Sequence, residues 1–258
     1  MTGNLIGFNN PAQLLEGYAL YQRQAERDLG VRIRTGVDFR QFNEMRKTWR
    51  GSGVWPYFDP DYNDLNATNA FWVEGKRGQD LVFMQAFRRD YIEGDFRNWC
   101  LNLTIALHIR AGYDVRLAEP ELPPSDRVRS ISGNVCLHGE MWVGGSGSQF
   151  KARALDVLPK VGLILAYLQW QPNVIWALTS PRLARGGGAY RTGHAHMEPD
   201  FVVWEKTPDG LTYDADTLVT SSKSDVQYMV SEALRLASLD KKVVRLEERA
   251  AVSSGPSK

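Results

Sequence analysis

The segment from Gly139 to Gly193 constrains this chain more than any other. It reads as strand, polar turn, amphipathic helix, strand and short helix, in that order. The first strand is His138-Gly-Glu-Met-Trp-Val143, and the turn runs into Gln149-Phe-Lys-Ala-Arg-Ala154. The second strand, Val174-Ile-Trp-Ala-Leu-Thr-Ser180, precedes Ala189-Tyr-Arg-Thr-Gly193. A helix that starts directly after a strand aims its unpaired backbone N–H groups, the positive end of its dipole, at one point. Such a point is a seat for phosphate. From Arg153 to Trp170, Leu155, Leu158, Val161, Leu163, Ile164, Tyr167 and Leu168 form a broad apolar stripe, which predicts a helix buried against a sheet.

The flanking sequence supplies the other layers. Apolar spacing predicts helices over Pro11 to Leu29 and Asp38 to Trp49. Gly51 to Asn69 is rich in turn formers and reads as a loop. Ala70 to Glu74 and Asp80 to Phe87 flank Gly75-Lys-Arg-Gly78 as a hairpin. A helix is expected from Arg97 to Arg110, a surface excursion from Leu117 to Arg129, and a strand from Phe201 to Glu205. Ser224 to Leu239 reads as a helix capped by Ser224-Asp, and Ser253 to Lys258 as a disordered tail. With no internal repeat, the mixture predicts one α/β or α+β layer domain.

Composition narrows the function. Lys and Arg number 31 against 30 Asp and Glu, which gives no global pull toward nucleic acid or an anionic membrane. Any anion site is therefore local. The two cysteines, Cys100 and Cys136, exclude a disulfide scaffold. The N-terminal residues lack a signal pattern, and the longest apolar run, Val161 to Leu168, is too short to span a bilayer. A cytoplasmic protein is expected. Asp59 to Asp64 reads as a capped turn, since its spacing does not fit a calcium loop.

The turn and its two strands resemble the GNAT superfamily of acyl-CoA-dependent N-acyltransferases. Gln149, Ala152 and Ala154 sit at the spacings of that family's diphosphate turn. Ala152 stands where the family has glycine; its methyl could crowd a diphosphate, or be harmless in a helical backbone. The resemblance implies a GNAT-like mixed, centrally splayed sheet flanked by helices. It implies a single domain over residues 1–252, with its core at about 68–206, helices before it within 11–50 and one after it at 224–239. It also implies acetyl-CoA or another acyl-CoA as co-substrate, a small-molecule or peptide amine as acceptor, and no metal. The pantetheine arm would bond Met141, Trp142 and Val143 on the open edge of the first strand. The diphosphate would meet Gln149, Phe150, Lys151, Ala152, Arg153 and Ala154. Glu140 would take the proton of the amine, and Tyr190 would give one to the departing thiolate. Backbone amides would stabilise the developing oxyanion. The insert from Gly94 to Arg129 is a candidate lid or acceptor wall.

Two other readings stand beside this one. Ala152 and the glycine run Gly186 to Gly188, which shortens or breaks the helix begun by Ser180-Pro181, also suit a GNAT-like module that binds an acyl-CoA or a protein without catalysis. In an extended His194-Ala-His-Met-Glu-Pro-Asp200, alternate residues share a face, so two imidazoles and two carboxylates could hold a metal. Pro199 interrupts that pattern.

Overall fold

The computed structural model of the chain describes residues 11–119, 122–145, 147–208, 211 and 214–253, with side chains described as far as 239. One eight-stranded sheet runs through it in the order β1-β2-β3-β5-β6-β8-β7-β4. The strands are β1 (Arg32–Gly36), β2 (Ala70–Arg77), β3 (Asp80–Ile92), β4 (Arg116–Leu117), β5 (Gly133–Val143), β6 (Val174–Thr179), β7 (His196–Lys206) and β8 (Ala215–Ser222). Every neighbouring pair is antiparallel except β5 and β6, which run parallel.

Helices cover both faces. On one lie α1 (Pro11–Leu29), α5 (Ser148–Trp170) and α8 (Lys223–Ser253). Tyr21, Leu158, Ile164, Tyr167 and Val230 there pack against Phe71, Phe87, Cys136 and Ile175 of the sheet. On the other lie α2 (Phe39–Arg50), α3 (Phe96–Arg110) and the short α4 (Asp126–Arg129). Phe42, Phe96 and Cys100 close that face over Trp72, Met84, Trp176 and Phe201. The remaining short helices, α6 (Pro181–Arg185) and α7 (Gly188–Arg191), follow β6.

The central pair sets the site. β5 and β6 are bonded only through Val135, Cys136 and Leu137, opposite Val174, Ile175 and Trp176. Beyond Leu137 they part, while β5 stays on β3 as far as Val143 and β6 stays on β8 as far as Thr179. The sheet is thus mixed, open and splayed at its centre, as the sequence resemblance implies. A bulge lies just past the parting: Ala86 faces Gly139 and Met84 faces Trp142, so β5 carries one residue more than β3. Glu140 absorbs it with φ 55°, a left-handed conformation rare for a residue with a side chain. Plain alternation would send Glu140 toward α5; the bulge sends it instead toward α2.

Several boundaries differ from expectation. Helix α5 begins at Ser148, five residues early, because the turn residues themselves coil. β1 and β8 were not foreseen. Pro199 does not end β7; it sits in a bulge between Glu198 and Val202, with Asp200 at φ 50°. At the start of α8 the cap is Ser222, whose Oγ accepts the Asp225 N–H at 3.4 Å while the Asp225 carboxylate accepts the Ser222 N–H at 2.8 Å. That helix continues to Ser253, and residues 254–258 of the expected tail lie outside the described residues.

Candidate active site

Two cavities flank the parting, one on each face. The smaller one, called the closed cavity for the aromatic rings that wall it, is about 120 Å³ and lies on the α2 and α3 side. Its wall includes Trp55, Tyr57, His108, His138, Glu140, Trp204 and Asp216. Phe58 reaches under the bulge so closely that a Cβ at Gly139 would stand 2.5 Å from its ring, so only glycine fits there.

Most polar groups of this cavity are held by protein partners. Glu140 is buried; its Oε1 accepts the Trp55 N–H at 2.7 Å, and its Oε2 pairs with the buried guanidinium of Arg46. Burial lifts the Glu140 carboxyl above its ordinary value, and Arg46 and the Trp55 N–H pull it back. Asp216 accepts the Trp204 indole N–H at 2.9 Å. The His108 Nδ1 lies 2.7 Å from the Thr104 carbonyl, which can only accept, so Nδ1 carries the proton and Nε2 the lone pair. Burial pushes the His108 pKa down. The rings of Trp55, Tyr57, Tyr113 and Trp204 surround it at centroid distances of 5.4–5.9 Å.

The second cavity, about 1240 Å³, opens between α1, α5, α8 and the segment after α7. Tyr190, three-quarters exposed, borders it, as does His194. Arg191 grips Asp156 through two bonds of 2.8 Å and donates to the Ala152 carbonyl. That guanidinium holds the Asp156 carboxyl below its ordinary value. Lys160 lies over the Tyr21 ring at 5.6 Å.

One contact joins the two sides. His138 Nδ1 and His194 Nε2 are 3.0 Å apart, and both rings are buried. The His138 ring is stacked against Phe87 at 4.7 Å. Their outer nitrogens, His138 Nε2 and His194 Nδ1, are buried and have no hydrogen-bond partner among the described residues. Desolvation lowers both pKa values, that of His194 to about 4.

The candidate phosphate seat lies beside this centre. Gly147, with φ 97°, is the N-cap of α5, and among the described residues no side chain caps the helix. Gln149, Lys151 and Arg153 are exposed; Phe150 packs beneath Arg77, and Ala154 is buried. Ala152 is helical, so its methyl is unstrained. Met141, Trp142 and Val143 lie on the stretch of β5 that has left β6. Met141 to Val143 end β5, and Gln149 to Ala154 lie in the first turns of the helix that follows it. Glu140 and Tyr190, expected to act together, border different cavities instead.

The four candidate metal ligands are not gathered. His194 faces His138, His196 Nε2 bonds Asp225 at 3.1 Å, and Glu198 accepts the Ser125 N–H at 2.8 Å. Among the described residues no cluster of three or more His, Cys, Asp or Glu could hold a metal ion. No described helix is long and apolar enough to cross a membrane. Sequence reading passed over His108, His138, Trp204 and Asp216. The one available signal was scarcity: the chain has four histidines, and three of them line this centre.

No family profile matches the chain, and no curated protein matches it in sequence. Solved structures do resemble it. FeeM, an N-acyl amino acid synthase from uncultured soil microbes, is 10% identical, with a TM-score of 0.40 over 79% of this chain and 97% of its own. The putative acetyltransferase yncA from Salmonella typhimurium, solved with acetyl-CoA, is 12% identical, with a TM-score of 0.36 over 75% and 94%. BjaI, a CoA-dependent acyl-homoserine lactone synthase, is 12% identical, with a TM-score of 0.35 over 83% and 86%. Likenesses this distant leave the case to the chain's own geometry. The splayed parallel pair, the bulge beside it and the helix between its strands agree with the architecture that the sequence resemblance implies.

Proposed function

We propose that the protein is an acyl-CoA-dependent N-acyltransferase. The observation that carries this reading is the parting of β5 from β6 just before an uncapped helix start. Unpaired strand edge and free helix N–H groups are what an extended thioester carrier with a diphosphate needs. The amides of Met141, Trp142 and Val143 would receive the arm. The first turn of α5, with Gln149, Phe150, Lys151, Ala152, Arg153 and Ala154, would receive the diphosphate. When bound, an acyl-CoA supplies the activated acyl carbon.

The two cavities then divide the substrates. The acceptor amine enters the closed aromatic cavity, and the carrier approaches from the open side. The amine nitrogen bonds to the acyl carbon and the carbon–sulfur bond breaks. Glu140, held by Arg46 and the Trp55 N–H, shapes the amine side. Tyr190, exposed on the carrier side, donates a proton to the departing sulfur.

Calorimetric titration with acetyl-CoA and longer acyl-CoAs, followed by a thiol-release assay over a panel of amines, tests this. Binding with release is the expected result. Binding without release against every amine would favour a module without catalysis, and no binding would remove both readings.

A further inference from the structure

The closed cavity lacks an uncommitted base on most of its wall. Glu140 is ion-paired, Asp216 accepts an indole N–H, the Tyr57 hydroxyl is bonded to Thr104 Oγ1 at 2.6 Å, and His108, with its Nδ1 fixed on the Thr104 carbonyl, has no second imidazole to pass a proton to. His138 differs. Its Nε2 is buried without a partner among the described residues, and its Nδ1 is bonded to a second imidazole whose own far nitrogen is equally unpartnered among them. A neutral imidazole accepts a proton at one nitrogen while releasing one from the other. The two rings lie in series where the strands have parted, His138 among the residues of the closed cavity and His194 among those of the open one.

We infer that His138 and His194 form a proton path through this parting, with His138 as the base for the acceptor amine and His194 as the positioning relay beyond it. The identity of the proton donor rests on the acyltransfer reading; the path does not. As the N–C bond forms, the amine proton passes to His138 Nε2. The His138 Nδ1 proton crosses to His194 Nε2, and the His194 Nδ1 proton leaves to water in the open cavity. The carbon–sulfur electron pair departs with sulfur, which is protonated separately. A proton returned from the open cavity to water in the emptied closed one restores the starting tautomers. The other titratable groups of the closed cavity are Tyr57, His108, Glu140 and Asp216. Around the exit stand Arg23, Arg27, Asp156, Lys160, Asp225 and Glu232, together with tyrosines.

The test is His194→Ala. Thiol release should fall by about a hundredfold, the lower range for loss of general acid–base help, with acetyl-CoA affinity unchanged. Added imidazole, which can enter from the open cavity, should restore turnover. Pyrazole, of the same size but far less basic, should not. Unchanged turnover, or equal rescue by pyrazole, would reduce His194 to a filler of space. If the variant does not fold, or if the wild type acylates no amine, a second measurement decides the path by itself. In the unliganded wild type, NMR should find the proton shared by the two rings exchanging with water in milliseconds despite its burial. Protection as long as that of core amides would overturn the inference.

Discussion

The two cavities beside the parted strands differ in almost every physical respect. The one under α2 and α3 is small, walled by aromatic rings, and each of its polar groups except His138 Nε2 is tied to a protein partner or held in a fixed tautomer. The one between α1, α5 and α8 is some ten times larger, with half-exposed ion pairs such as Asp156–Arg191 on its rim. A closed, low-dielectric cavity strengthens each charge interaction and makes each unpaired group costly. On the proposed reading, reaction chemistry takes the first side, and the carrier lies on the α5 side along the freed edge of β5.

Stability should expose this contrast most sharply at Arg46. Arg46→Met leaves the Glu140 charge buried without its partner and should cost about 3–5 kcal/mol in denaturant unfolding. A loss within 1 kcal/mol would mean that the closed cavity is wetter than described. On the carrier side the largest effect is kinetic. Tyr190→Phe should lower turnover by about a hundredfold and leave acyl-CoA affinity intact, as expected of a proton donor. Thiol-release rates beside calorimetry would show it, and a loss of affinity alone would make Tyr190 a binding residue.

Acid should also act through the closed centre. The folded-state pKa values of His138 and His194 lie below their unfolded value, so the unfolded chain takes up protons first as pH falls. Stability is full above about pH 7 and falls as pH drops through 5 toward 4, the folded-state value of His194. Urea melts across that range should show the slope, and His194→Gln should flatten it. An unchanged slope in the variant would assign the acid response to other groups. The smallest effect belongs to the open rim. Asp156→Asn breaks a pair that is one-third to one-half exposed, and should cost about 0.2–1 kcal/mol. A cost of several kcal/mol would erase the distinction between the two sides.

What the sequence revealed divides along the same line. Helix α5 was legible because its apolar stripe repeats with the helical period, and the seat at its start is local in sequence. The closed cavity was not, because Trp55, His108, His138, Trp204 and Asp216 come from segments far apart in the chain. Glu140 was found as a residue but not as a direction, since a bulge cannot be read from alternation. β1 was hidden by its exposed arginines, as befits an edge strand. β8 was hidden by Thr217, Thr220 and Ser221, polar residues that the sheet nevertheless buries.

The central claim is that the edge of β5 freed from β6 receives an acyl-CoA. Hydrogen–deuterium exchange with and without saturating acetyl-CoA examines that edge directly. Exchange should slow in the peptides covering Met141 to Val143 and Ser148 to Ala152, and stay constant in β1 and α3. Unchanged exchange in both peptides, or protection confined to other elements, would contradict the account.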